Sequence, residues 1–365
     1  MNPVLPDEAV QFGAAAAQAF TALGGAEVFR RAEIDPAARS TEVAQALAAL
    51  GTDDLDPRTD ADSLAAAAVL CEVAGRIALP YPVAAALLRD GEGRPFAVVP
   101  DRVARVEHGD LFDTWVVATA AGGARTATSA GAPLGSRLGR FVTDLAVGGE
   151  GVGAGDGPHP DLPLHLALTA WSVLGTAGAA VDLAVEHVNG RIQFGKPIAS
   201  FQAVQFQLAD CAVAVAGLRE LAAFTLWRLD GDPVSALGDA LALRLHAIDV
   251  ARSVLRATQQ LHGAAGVCDE YDISVLARAV QPALRLPWSA ERTAAALAAT
   301  IATDGFVGLF PHGGDRRADR ASASEPGGDG ARAQRAGAQP RDERQRHQPV
   351  PNRAGCLLDH GLPAA

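Results

Sequence analysis

The chain has 365 residues, enough to bury a core and to hold two or three substructures. Apolar residues make up 49% of it and aromatic residues only 5%, so the core must be built mainly from Ala, Leu and Val. A formal net charge of -11 argues against general nucleic-acid binding, which needs a basic face, but leaves room for an anionic cofactor held by a few local arginines.

Residues 1–92 predict an N-terminal helical domain. "DEAVQFGAAAAQAFTAL" spaces apolar residues at three and four, "STEVAQALAALG" reads as a Ser/Thr-capped helix ending at Gly51, and the apolar stretch from Asp62 is interrupted at Pro80 and Pro82. Between 93 and 158 the pattern becomes short β-branched runs, "RPFAVVPDRVARVE", "DTWVVATA" and "GRFVTDLAVGG", which predict a small β region of a few strands. From Asp161 to about residue 308 the helical period returns: a long helix stopping at Asn189-Gly190, a second after a Ser200 cap with Val204, Leu208, Cys211, Val215, Leu218 and Ala222 inward, a third ending near Gly263, and further helices beyond. Long helices joined by short loops predict a four-helix bundle, making the fold class mainly α with a small β region. Residues 309–365, poor in apolar side chains, predict a disordered tail.

Cys71, Cys211, Cys268 and Cys356 lie far apart without CxxC spacing, which predicts reduced thiols of an intracellular protein and no metal site. No basic-then-apolar leader opens the sequence and no apolar run reads as long enough to span a bilayer, so a soluble, cytoplasmic protein is expected.

Two stretches carry chemistry. In "RIQFGKPIASFQ", Arg191 offers a planar bidentate donor suited to a diphosphate, Gln193 can pair an amide-like edge, and Phe194 offers a flat apolar face. The same residues also suit an interhelical loop with Phe194 and Phe201 plugging the core. In "QQLHGAAG", the helix end running into Gly263 and Ala264 leaves backbone amides open to a phosphate or ribose, although a glycine-terminated helix needs no ligand.

Taken together and in this order, the two motifs resemble the acyl-CoA dehydrogenase family over about residues 5–305. The resemblance implies FAD bound between subunits, dehydrogenation of an acyl-CoA thioester, and reoxidation by an electron-transfer flavoprotein. It implies that Arg191, Gln193 and Phe194, with Ile198, Phe201 and Gln202 beside them, touch the FAD diphosphate and adenosine, and that Gln260, Gly263 and Ala264 meet its ADP half, shared with a neighbouring subunit.

The family's catalytic carboxylate is not where the resemblance would put it. One position falls near His165; the other falls at Pro287 or Trp288 in "ALRLPWSAERT", with Ser289 where a Thr is usual. An α-proton abstraction needs a base, and His165 and Glu270 are the candidates the chain offers, with Asp269 and Glu270 also suited to capping the next helix and Glu291 to opening the last one. The short β region also lacks the Thr/Ser-rich segment that covers the flavin in this family. Both departures resemble the smaller subunits of heteromeric bacterial acyl-CoA dehydrogenases of steroid-catabolism type, in which a partner subunit supplies the base. A homomeric dehydrogenase with an unusual base, or a non-catalytic scaffold or ligand-binding relative, are the alternatives.

Overall fold

A computed structural model of the chain describes residues 5–100, 103–119, 122–152 and 158–305; the expected disordered tail and Cys356 lie outside them. The N-terminal stretch forms α1 (Asp7–Ala22), α2 (Glu27–Ile34), a π-helical turn Arg39–Val43 leading into α3 (Ala44–Ala49), then α4 (Ala61–Arg76) and α5 (Val83–Leu87). The Asp60 carboxylate caps α4 by accepting from the Ser63 amide at 2.7 Å. Ser40 and Thr41 do not cap as expected: both hydroxyls donate to the Ala37 carbonyl at 3.0 Å, because the chain is already turning before it reaches them.

Five strands follow: β1 (Phe96–Val98), β2 (Arg105–Glu107), β3 (Thr114–Ala118), β4 (Ala124–Ser129) and β5 (Val142–Val152). They make one sheet in the order β1-β3-β4-β5-β2, with β1 and β3 parallel and the other neighbours antiparallel. Strand β4, "ARTATS", is absent from the sequence expectation because it is small, polar and flanked by glycines. Trp115, Val106, Val117 and Leu145 form the core of this region. Buried Arg39 ties it to the N-terminal helices through Asp110, at 3.0 and 2.6 Å.

The remainder is helical: α6 (Asp161–Gly190), α7 (Gln202–Gly231), α8 (Leu237–His262), α9 (Asp272–Ala279), α10 (Gln281–Arg285) and α11 (Ala290–Asp304). Helix α6 lies at the centre, against α4, α7 and α8, with α11 packed on α8. By length and composition α6 could cross a membrane, which corrects the expectation that no apolar stretch reaches that length. Here its apolar residues are core: Leu166, Leu168, Trp171 and Leu174 are fully buried, as a helix enclosed on most sides requires.

Helices α4 and α6 meet backbone to backbone. A Cβ on Gly75 would sit 1.9 Å from the Ser172 carbonyl oxygen, and one on Gly175 would sit 1.9 Å from that of Glu72, so each helix needs a glycine where the other crosses. A single core runs from α1 through β1, β3 and β4 into the bundle.

Candidate active site

A cavity of about 160 Å³ lies where the N-terminal helices, the sheet and the bundle converge. Its walls are the α4 end and the following segment to Ala85, strands β1 to β3, helix α6, and the α9–α10 stretch through Pro287. Most of the lining is apolar. Helix α6 contributes one polar face: His165, Thr169, Ser172 and Thr176 recur at intervals of four, three and four. Thr176 is already engaged, donating to the Gly75 carbonyl at 2.9 Å. Ser172 faces the fully buried Cys71, whose thiol burial pushes up to about 12, leaving it unreactive.

The structure puts His165 in this cavity, edge-on to Phe96 at 6.0 Å. Its Nδ1 is buried without a hydrogen-bond partner among the described residues. Burial, and then the Arg244 guanidinium, bring its pKa down to about 4, so the ring is neutral at pH 7 and a weak base. Glu270 does not reach the cavity; it is exposed on the turn before α9. Neither it nor Asp269 caps that helix, which begins after Tyr271 without a side-chain cap, while Asp269 pairs with Arg137 and Arg278. At the second expected base position, Leu286 and Pro287 line the cavity and Trp288 is buried. Arg244 fixes this segment by donating to the carbonyls of Ala283, Leu286 and Trp288 at 3.1, 2.6 and 2.9 Å. Ser289 caps α11 by accepting from the Arg292 amide, and Glu291 sits exposed in its first turn.

The sequence missed Glu107, the one carboxylate among the described lining residues. Burial raises its pKa to about 8. Nothing in "RVEHGD" marks it, because its surroundings come from segments distant in sequence.

The Arg191–Gln202 stretch lies elsewhere, at the far end of α6. Thr176, the cavity residue nearest to it along the helix, is about 22 Å of helix axis away. The stretch is a miniature hairpin, β6 (Ile192–Gln193) paired with β7 (Lys196–Pro197), turned by Phe194 and Gly195 at φ of 54° and 77°. Two consecutive positive φ angles make a type I′ turn. Helix α6 ends at Gly190, as the Asn189-Gly190 pair predicts, and the hairpin turn at Phe194 and Gly195 follows four residues later. Ser200 is not the cap of α7: its hydroxyl donates to the Pro197 carbonyl at 2.7 Å, and Phe201 precedes the helix.

Arg191, Gln193, Phe194 and Gln202 are exposed, with Phe194 at 91%. Phe194 thus does not plug the core; it meets half-buried Phe201 edge-on at 6.1 Å, and the Lys196 ammonium lies 4.5 Å over the Phe201 ring. Ile198 anchors the hairpin in a small cluster with Ala184, Val188 and Leu261. Leu261 lies beside Gln260, and its helix end carries Gly263 and Ala264, both exposed; Gly263 has a positive φ. The His187 and His262 rings stack at 4.4 Å across the same junction. The two motifs are therefore neighbours at one end of the bundle.

Gln260 also lines a polar groove between α7 and α8 with Gln207, Asp249, Arg252 and Arg256. Arg252, Arg256 and Gln260 follow one another at four-residue steps, a helix-face pattern that sequence reading passed over. Guanidinium groups, carboxamides and an aromatic face at this end fit a diphosphate joined to a flat ring, the chemistry of a dinucleotide. Among the described residues, no group of three His, Cys, Asp or Glu stands ready for a metal.

Residues 166–285 match the family described as acyl-CoA dehydrogenase, C-terminal domain. A segment of 106 residues is 37% identical to the acryloyl-CoA reductase (NADH) of Anaerotignum propionicum, covering 29% of this chain and 26% of that protein. The sequence match thus spans about a third or less of the curated relatives' length. Among solved structures, the ChsE4-ChsE5 complex from Mycobacterium tuberculosis aligns with a TM-score of 0.69 at 18% identity, over 83% of this chain and 99% of that one. A variant of the Tcur3481-Tcur3483 steroid ACAD aligns at 0.66 and 21%, over 82% and 98%. The described chain has the acyl-CoA dehydrogenase fold. Within its bundle, residues 166–285 are similar to the acyl-CoA dehydrogenase C-terminal domain.

Proposed function

We propose that the chain is a flavoprotein subunit that takes part in the α,β-dehydrogenation of an acyl-CoA thioester. The observation that carries this reading is the joining, at one end of the bundle, of the Arg191–Phe194 hairpin and the Gln260–Ala264 turn, within a domain matched to this family. Arg191, Gln193 and Gln260 would hold the FAD diphosphate and its adjoining groups, and Phe194 and Phe201 would offer it a flat surface. Bound FAD supplies the two-electron acceptor for the β hydrogen, and an electron-transfer flavoprotein would regenerate it. The apolar cavity would receive the acyl group and exclude water from it.

The hairpin stands at the end of α6 remote from the cavity, which favours a site completed by another chain. A heteromer is supported by the likeness to the structure of the ChsE4-ChsE5 complex. In that arrangement the partner would supply the base. One observation favours a second arrangement, in which this chain carries its own: Glu107 lines the cavity.

Visible spectra test the reading. The chain is purified alone and after co-expression with candidate partner chains. Flavin absorbance only in the co-expressed preparation supports the heteromer. Flavin and dehydrogenase activity in the isolated chain support the self-sufficient arrangement, and absence of flavin from every preparation overturns both in favour of a scaffold.

A further inference from the structure

The cavity holds a carboxyl group without a hydrogen-bond partner among the described residues. At the end of strand β2, Glu107 lines the cavity beside Arg105, Val106 and His108, while Val106 also packs in the sheet core. Nearby acids are engaged: Asp110 by Arg39 at 2.6 Å, Asp144 by Arg105 at 2.7 Å and Asp161 by Arg58 at 2.9 Å. Among the described residues the Glu107 carboxyl has no hydrogen bond. Among the described residues, the basic side chain within 4 Å of it is His108, whose Nε2 lies 3.8 Å from Oε1, beyond hydrogen-bond range.

His108 is itself fixed. Its Nδ1 lies 3.3 Å from the Arg39 guanidinium, a donor, so Nδ1 accepts and the ring proton is assigned to Nε2, facing Glu107. The ring stacks on Phe141 at 4.9 Å, and burial and the Arg39 charge keep it neutral. The remaining polar groups lining the cavity are Arg105 and Tyr81, and His165, Thr169, Ser172 and Thr176 across it on α6. Arg105 is held by Asp144 and His165 is a weak base, so Glu107 is left as the group free to exchange a proton.

We infer that Glu107 is the acid–base residue of the cavity, its carboxylate taking a proton from the carbon adjoining the thioester carbonyl of a bound acyl-CoA. The inference rests on the acyl-thioester reading above. In that step the α C–H bond breaks and an O–H bond forms on Glu107. The electron pair stays with the substrate, delocalised over the α carbon and the thioester carbonyl, and Glu107 then exchanges the proton with solvent. The apolar walls that raise its pKa to about 8 match it to this work near neutral pH, since the best base titrates close to the operating pH.

Phenylacetyl-CoA is the probe, because its α hydrogens are acidified while it has no β C–H to lose. The full-length protein, with its partner where one is needed for flavin, is incubated in D2O. Deuterium entry at the α carbon is followed by mass spectrometry, and phenylacetyl-CoA binding by calorimetry. Wild type should exchange, with a rate that climbs as pH rises through about 8 as the carboxylate forms. Glu107→Gln should keep binding and lose exchange about 100-fold or more, with Glu107→Asp between them. A melting temperature of Glu107→Gln at or above wild type excludes misfolding as the cause. Equal exchange in wild type and Glu107→Gln, or binding without exchange in wild type, overturns the role of Glu107 while the acyl-thioester reading stands. Absence of phenylacetyl-CoA binding together with absence of exchange overturns both.

Discussion

The two ends of α6 are built on opposite plans. At its C-terminal end, the residues that could grip a ligand come from two short sequence motifs, Arg191–Gln202 and Gln260–Ala264, and most of their side chains are exposed. At its N-terminal half, the cavity is assembled from several stretches distant in sequence, and its polar groups are mostly fixed by other parts of the fold. A short exposed motif can be changed without unfolding the chain. An assembled cavity cannot be separated from the core. Substitutions at the two ends should therefore divide cleanly between binding and stability.

The largest effect should come at the α4–α6 crossing. Gly175→Val places side-chain carbons where the Glu72 carbonyl already stands, and should cost about 4 kcal/mol or more, read as loss of folded protein or a large fall in melting temperature. Arg244→Ala should follow. It leaves the carbonyls of Ala283, Leu286 and Trp288 without their buried donor and should cost about 3 kcal/mol in denaturant unfolding.

Arg191→Ala is the counterpart at the other end. It should change unfolding free energy by less than about 0.5 kcal/mol, yet weaken flavin retention by about 1.5–3 kcal/mol through loss of a charge-assisted contact. Unchanged flavin content would reduce the hairpin to a connector, and a large loss of stability would break the contrast itself.

Glu107→Gln tests the cavity through pH. A carboxyl whose folded pKa is raised keeps its proton longer in the native state than in the unfolded chain. Its favourable contribution is complete below the unfolded value of about 4.5 and is lost as pH rises through about 8. Removing the charge should therefore make the variant more stable than wild type by about 1–3 kcal/mol at pH 9, after allowance for partial exposure, with the gap closing toward pH 4. Urea melts across that range decide it, and a gap that grows on acidification contradicts a raised pKa. The smallest effect belongs to the hairpin turn. Phe194→Asn relieves an aromatic residue at positive φ and should add about 0.5–1 kcal/mol of stability, while weakening any ligand that uses the ring.

The same division explains what the sequence disclosed. The long helices, their breaks and the hairpin motif are local, so period and composition reach them. Strand β4 is not: "ARTATS" has little apolar character and becomes a strand by pairing with β3 and β5. Glu107 gives no signal because the walls that desolvate it lie tens of residues away. The face carrying His165, Thr169, Ser172 and Thr176 was within reach, since polar residues at helical spacing on an otherwise apolar helix mark a stripe facing something other than oil. The stop at Asn189-Gly190 is local as well, and α6 ends at Gly190.

The glycine crossing has a mechanical consequence. With hydrogen atoms alone separating the backbones of α4 and α6 at Gly75 and Gly175, these helices neither slide nor tilt independently, and they behave as one welded beam. The cavity therefore has one immovable wall. Any widening for a bulkier guest, or breathing to release it, falls to the opposite side: strand β2, the Tyr81–Ala85 segment and the α10 stretch to Pro287. Changes in ligand size should accumulate on those surfaces and spare the beam.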